Sequence, residues 1–479
     1  MPATRPIVRL AGLAAVLALS FALLLVCDPR QWLLLRNTLL LSSGACIIAL
    51  PVGTVLAFLL VRTDLPGRST ASLVLGVMLL VPLYLQATAW DAGFGQLGWY
   101  SVTTDALSSP LLRGWQAAIW IHGLAAIPWV ALLVGAGLRL VESELEEQAL
   151  LDGSAPRVCL YVTLPRVTAA IGVAALWVLL STAAEMTVTD LYRIRTYAEE
   201  LYTGFALGDD WGAAGLTVLP GMLAQGALVL VAGLVISSVA RPVQSAERPM
   251  STFPLRSYRG PALGLVLVLL ALTVGVPLGN LLVKAGTVVE QVGSLRWRHW
   301  SVVRLTEVVG RGITDYGQEF RWTLVISGQA ATVAVAVGAG LAWLARRGGT
   351  RAWPALLTAA CGLAVPGPLL GLGVIWLLDR EQPVAFAWLY DRTVAAPVLA
   401  LVVRVLPLAI LICGFGWRTI ADDVLDAATC DGAGAWTRFW RIAVPQRLPA
   451  LGAAWLAAFA WAAGDLACSI LVVPPGVTT

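Results

Sequence analysis

Eleven apolar stretches of nearly twenty residues or more leave this chain few ways to fold. They run at roughly 10–27, 39–61, 71–89, 116–139, 167–187, 212–240, 260–284, 322–345, 353–378, 391–414 and 447–473. A helix of about 20 apolar residues crosses a bilayer core about 30 Å thick. Inside lipid every backbone N–H and C=O needs a partner from the protein, so only helices and closed barrels survive there. The stretches show no sustained alternation of apolar and polar residues, which favours helices over barrel strands. The chain is 58% hydrophobic and only 13% charged, against about 25% charged in ordinary soluble domains. An all-α polytopic membrane protein is predicted.

The N-terminal "MPATRPIVRLAGLAAVLALSFALLLVC" has the look of a signal peptide. It lacks a convincing small-x-small cleavage site, and the next apolar run follows closely, so we read it as a retained first span. Arginines set the orientation. Arg5, Arg9, Arg62, Arg68, Arg139, Arg157, Arg241, Arg346, Arg347, Arg351, Arg418, Arg438, Arg441 and Arg447 share one side if the N-terminus is cytoplasmic. Arg30, Arg36, Arg113, Arg193, Arg195 and a group at 296–311 fall on the other, so the bias is real but imperfect. A net charge of +4 spread along the chain gives no reason to invoke nucleic acid. Seven scattered cysteines with no CxxC pair, and only two histidines, argue against a disulfide framework or a metal site.

The chain repeats itself. "RNTLLLSSGACIIALPVGTVLAFLLVR" from Arg36 resembles "RWTLVISGQAATVAVAVGAGLAWLARR" from Arg321. Between the copies, "RPVQSAERPMSTFPLRSY" reads as a Pro/Ser/Arg-rich cytoplasmic linker at 241–258. The predicted organisation is therefore a first module at 1–240, the linker, and a second module at 259–479, a common plan for enclosing a central pathway. Glu185 lies 20 residues beyond Pro165 and Asp465 lies 20 beyond Pro445, so the halves stay in register. The first half then continues through another helix, whereas 14 residues follow Asp465. By this register a twelfth helix is missing, and a truncated chain or gene model is expected.

The most specific repeat is polar. "EEQALLDGSAPRVCLYVTLPR" from Glu146 and "LDAATCDGAGAWTRFWRIAVPQR" from Leu425 each place an acidic residue six before a glycine and close on Leu-Pro or Val-Pro. In the first copy the matching residues are Glu147, Ala149, Gly153, Leu164 and Pro165; in the second they are Asp426, Ala428, Gly432, Ile442 and Pro445. Each copy predicts a short surface helix, a glycine that lets the backbone turn or a partner approach, and a proline that restarts a helix at the membrane. One such pattern alone reads as an ordinary polar loop. Two copies at matching places in a repeat, both on the cytoplasmic side, point to a protein–protein contact.

These residues resemble the EAA loop of the membrane subunits of type I ABC importers. The second copy keeps the family's spacing, with Ile442, Val444 and Pro445 after Gly432. The first is one residue short before Leu164 and carries Gln148 where alanine is usual. The resemblance covers nearly the whole chain as two fused permease modules, as in ferric iron and thiamine importer permeases. It implies coupling helices that dock on a separate ABC ATPase dimer at the cytoplasmic face, an extracytoplasmic solute-binding protein, and residence in a bacterial inner membrane. It also implies no cofactor on this chain: there is no GxxxxGK[ST] loop, so ATP and Mg belong to the partner ATPase. Ferric iron leads among the cargoes implied, with thiamine next and sulfate or polyamine behind.

Glu185 and Asp465 are candidates for a pathway or gate, because intramembrane acids are costly and face protein or water; snorkelling or structural hydrogen bonding is the competing reading. His122 reads as a packed, hydrogen-bonded histidine, His299 as an outer-loop residue, and Trp32, Trp90, Trp99, Trp120 and Trp388 as interfacial anchors. "WLLDREQPVAFAWLYDR" is open between an outer gate and a surface turn. No catalytic set stands out, so the chain is read as a transport subunit rather than an enzyme. Two rivals remain: an ion-coupled secondary transporter working without an ATPase, and a nonfunctional fragment.

Overall fold

A computed structural model describes residues 28–104, 110–206, 211–239, 252–292, 295–379 and 384–472, with isolated positions at 14, 18 and 21. The expected span at 10–27, apart from those three positions, the linker residues 241–251 and the last residues 473–479 lie outside the described residues.

Helix α1 (Pro29–Arg62) starts where proline needs no N–H partner, and the Asp28 N–H donates to Gln31 Oε1 at 3.1 Å. Next come α2 (Arg68–Met78) and α3 (Leu83–Phe94). The axis turns 99° between Arg68–Met78 and Leu83–Thr103. The break is at Val81-Pro82: proline disfavours helical geometry in the preceding residue, and Pro82 itself caps α3 with extended backbone. Helix α4 (Gly114–Leu138) is followed by the short surface helix α5 (Ser143–Asp152), then α6 (Leu164–Ala183), α7 (Tyr197–Ala206) and α8 (Trp211–Val239).

The second half opens with α9 (Arg256–Gly286), a span that includes one wide π turn at Ala271–Gly275. The chain then departs from the all-helical expectation. Strands β1 (Thr287–Val292) and β2 (Leu295–Trp300) form an antiparallel hairpin with Thr287 opposite Trp300. Its six-residue strands are too short to register as a period in an otherwise helical chain. Helix α10 (Val302–Asp315) leads to α11 (Gly317–Ala345). Helices α12 (Trp353–Ala364) and α13 (Gly367–Leu378) form a second bent pair, turned by 107° at Val365-Pro366. Helix α14 (Ala395–Arg418), the surface helix α15 (Asp422–Cys430) and α16 (Leu448–Gly464) complete the labelled elements.

The chain is thus an all-α polytopic membrane protein apart from one small hairpin. Among the described residues seven helices are long and apolar enough to cross a bilayer, or nine if each bent pair counts as one span. The expectation of eleven differs for local reasons. The Val-Pro breaks divide 71–89 and 353–378, the 447–473 stretch yields a helix of only 17 residues, and 10–27 is outside the described set.

Helices α1, α4 and α6 pack on one another, and so do α11, α14 and α16. Small residues make the approach close. A Cβ on Gly53 would stand 2.6 Å from Val130 Cβ, so this glycine sets the α1–α4 distance. Between the triplets, α8 and α6 meet α12, while Trp177, Leu180, Val229, Ala360, Leu408 and Ala457 share one buried cluster. Trp90 is a correction: it is 6% exposed and meets Trp120 edge-on at 5.8 Å, so it packs the core instead of anchoring an interface. Trp32 and Trp388 are exposed.

Candidate functional site

Surface helix α5 carries the first polar segment, and one carboxylate fastens it. Glu146 is wholly buried, accepts a hydrogen bond from Thr163 Oγ1 at 2.6 Å and pairs with Arg62, itself wholly buried at the end of α1. Glu147, the acid singled out by the repeat, is exposed. On a helix, adjacent residues point about 100° apart, so only one of the two can face inward. The Arg62 guanidinium also lies 5.8 Å from the Phe253 ring, and the Phe253 N–H donates to the Arg62 carbonyl at 2.8 Å. Leu255 N–H and Arg259 both donate to Asp64, whose carboxyl is held below the usual range chiefly by the Arg259 hydrogen bond. The described end of the linker, 252–258, is therefore tied to the foot of α1 beside α5.

Gly153 has φ −137° and ψ 161°, extended geometry open to any residue, so the backbone does not require a glycine there. Gly432 differs. Its φ is +81°, and the Ala433 N–H reaches the Ala428 carbonyl at 2.9 Å while its own N–H reaches Thr429 at 3.0 Å. That is a Schellman ending, in which glycine relieves the steric cost of left-handed backbone.

The prolines do not restart helices as the sequence reading expected. The chain is helical without a break from Ala155 to Ala183, passing through a π turn at Cys159–Thr163. The Leu164 N–H bonds to the Cys159 carbonyl, five residues back. Pro165 has no N–H to offer and would press on the carbonyl four residues earlier; widening the turn by one residue relieves both problems. The second segment has the same device: a π turn at Phe439–Ala443, with Val444 N–H on the Phe439 carbonyl, directly before Pro445.

The second segment is held differently. Leu425 is buried at the position corresponding to Glu146, and Arg346 pairs with Asp422. Phe439 packs between Trp343 and Trp417 at 5.5 and 5.7 Å. Asp426 is exposed, Ala149, Ala428 and Ile442 are half-buried, Leu164 is exposed, and Pro165 and Pro445 face outward. Large apolar side chains also face outward from both segments: Leu151 is 85% exposed and Trp436 74%.

About 30 Å along α6 from the first segment lies a second constellation. Glu185 accepts from the Thr187 N–H at Oε1 and the Val188 N–H at Oε2, at 2.6 and 3.1 Å, and His122 Nε2 stands 3.4 Å from Oε2. His122 Nδ1 is 2.9 Å from the Ala118 carbonyl. In the other half, Asp465 accepts from the Cys468 N–H at 2.9 Å and from Arg404 Nε at 2.9 Å, with both side chains 4% exposed. Each acid thus caps a short helix and faces a basic group on the middle helix of its own triplet. The two sites adjoin: Met186, next to Glu185, packs in one cluster with Ala467, two residues from Asp465. Trp129, Trp177 and Trp461 pack against one another, with Trp177 and Trp461 edge-on at 4.5 Å, and Arg404 lies 5.1 Å from the Trp461 ring.

Arg404 and Glu146 escaped the sequence reading. A charged residue in the midst of the apolar run 391–414 was a signal for the first; nothing local separates Glu146 from Glu147. His299 lies on β2 opposite Val288 and is exposed. In "WLLDREQPVAFAWLYDR", residues 384–392 are helical and 380–383 are outside the described residues. Among the described residues no group of three or more His, Cys, Asp or Glu side chains is placed to hold a metal ion.

Residues 334–479 match a family described as binding-protein-dependent transport system inner membrane component. Over 100% of its length the chain is 22% identical to the Fe(3+)-transport system permease protein FbpB 2 of Haemophilus influenzae, covering 88% of that protein. Over 43% of its length it is 26% identical to the molybdenum transport system permease protein ModB of Escherichia coli, covering 94% of that protein.

Proposed function

We propose that this chain, a multi-pass membrane protein of the ABC-transporter permease family and a transport component rather than an enzyme, forms the translocation pathway of a type I ATP-driven importer. The observation that carries the reading is the recurrence, in both halves, of a three-helix packing unit, a surface helix, and a π turn ahead of a proline. On this reading there are two fused permease modules. The segments with Glu147, Ala149, Gly153, Leu164 and Pro165, and with Asp426, Ala428, Gly432, Ile442 and Pro445, are the docking elements for a separate ATPase dimer on the cytoplasmic side. A solute-binding protein delivers cargo to the other face of the inner membrane, and the N-terminus is cytoplasmic.

Glu185 and Asp465 then belong to the gate. They sit about a membrane-thickness from the docking elements, where the two halves meet, and the Trp461 ring stands against Arg404, the partner of Asp465. Closure of the ATPase dimer would pull on both surface helices, and the continuous helix from Ala155 to Ala183 would carry that displacement towards Glu185.

Ferric iron is the favoured cargo, supported by full-length similarity to a Fe(3+)-transport permease and by two carboxylates at the centre. An oxyanion is the second reading. Arg404 is a permanent cation in the same place, and the similarity to a molybdenum permease points the same way.

The test uses Leu151→Arg and Trp436→Arg, which alter exposed tips without touching a span. Proteoliposomes holding the chain, its ATPase and its binding protein should lose ATP-driven uptake and ATPase co-purification with either change. Uptake that persists without any ATPase would instead establish an ion-coupled transporter.

A further inference from the structure

Between α9 and α11 the second half carries a unit whose apolar surface is left uncovered by the protein. Helix α10 is strongly two-faced. Val302, Val309 and Ile313 fall on one side at helical spacing and are 60%, 52% and 67% exposed. The opposite side holds Arg304, Arg311 and Glu307, with Glu307 bridging the two arginines at 3.1 and 2.7 Å. Leu305 and Val308 are half-buried on the flank by which α10 packs against the Val276–Gly286 part of α9. A two-faced helix exposed to water would be expected to turn its apolar side inward. This one does not.

Its place in the fold says what covers that side. The α9 span leaves the end of the protein where Phe253 pairs with Arg62, so Gly286 emerges at the opposite end from α5. At about 1.5 Å per residue, α9 and α11 each exceed a bilayer core about 30 Å thick by several turns. The excess places α10 at the level of the headgroups. The exposed apolar surface continues from α10 through Tyr316 (60%) to Phe320 (61%) and Leu324 (60%) on α11, a spanning helix whose outer surface is solvated by lipid. Trp297 on the hairpin is 66% exposed, and tryptophan favours this layer.

We propose that β1–β2 and α10 form an interfacial anchor, with α10 lying in the bilayer surface at the end of the protein opposite α5. Val302, Val309 and Ile313 sink into the acyl boundary and Arg304, Glu307 and Arg311 face water. The anchor holds the second half's outer edge at a fixed depth. It rests on the chain spanning a membrane and is independent of the importer reading.

The full chain, with its seven cysteines replaced, is placed in nanodiscs of phosphatidylethanolamine and phosphatidylglycerol. Nitroxides are attached one at a time at Val309→Cys, Ile313→Cys, Thr314→Cys and Leu324→Cys. Labels at 309 and 313 should collide with oxygen and lose contact with a water-soluble nickel chelate, as the label at 324 does, while 314 stays open to nickel. Water-like behaviour at 309 and 313 overturns the proposal. So does shielding from both reagents, or shielding only when the solute-binding protein is added, since either means protein covers the face. If the cysteine-replaced chain fails to assemble, a diazirine phospholipid incorporated around the wild-type chain gives the same reading. Adducts within 302–316 support the anchor, and their absence alongside adducts on α11 overturns it.

Discussion

Arg62 and Glu146, 84 residues apart in sequence, form an ion pair whose two side chains have no exposed surface. The pair joins the end of a membrane span to the surface helix expected to meet the ATPase. Arg62 Nε and Nη1 find no acceptor among the described residues, so Glu146 alone answers its charge, with the Phe253 ring alongside.

Glu146→Ala should therefore cost about 3–5 kcal/mol, because it strands a buried guanidinium, whereas Glu147→Ala should stay within about 0.5 kcal/mol. The double change Glu146→Leu with Arg62→Met copies the apolar solution that Leu425 provides in the other half. It should recover most of the loss. Thermal unfolding in nanodiscs checks all three; equal effects at 146 and 147 would refute the assignment of the inward-facing acid.

Gly432→Ala should destabilise by about 1–2 kcal/mol, because it puts a Cβ on left-handed backbone. Gly153→Ala should do less, since its backbone is extended and the new Cβ meets the Ala149 carbonyl at 3.2 Å and Val158 Cγ2 at an ordinary 3.8 Å. Comparing the two unfolding midpoints tests whether the paired glycines have different local roles.

At Gly53 the neighbouring helix is the obstacle. Gly53→Leu should cost about 1–3 kcal/mol by overpacking against Val130. Combining Gly53→Ala with Val130→Ala should be better tolerated than Gly53→Ala alone. Additive effects in that double-mutant cycle would show that the contact does not set the helix spacing.

At the centre, Asp465→Asn should be worse than Glu185→Gln, by about 3–5 against about 1–2 kcal/mol. Asp465 answers a guanidinium buried with it at 2.9 Å, while Glu185 keeps the Thr187 and Val188 N–H donors and meets His122 only at 3.4 Å. The order of the two unfolding temperatures is the measurement.

The Asp64 tether should respond to acid. Its carboxyl is held below the usual value in the folded chain, so the tether is fully present above the ordinary carboxylate pKa of about 3.9 and fades as pH falls through the lowered one. Amide protection at Leu255, corrected for intrinsic exchange, should drop over that acid range in the wild type. In Asp64→Asn it should be low throughout.

Sequence alone determined the solvent of this protein and the location of its polar segments. Long apolar runs have only a few spanning solutions, and a polar stretch repeated in register stands out against them whatever the packing. The Val-Pro dipeptides at 81–82 and 365–366 carried their breaks locally as well, although apolar length alone disguised each bent pair as one span. What tertiary structure decided was which charged group meets which. Glu146 and Glu147 are neighbours of identical chemistry, and only the approach of Arg62 and Thr163 selects one of them. Arg404 meets Asp465 across 61 residues, and His122 meets Glu185 across helices that sequence leaves unpaired. Transfer from water to lipid is a property of each segment by itself; the compensation of a buried charge exists only after distant segments have packed.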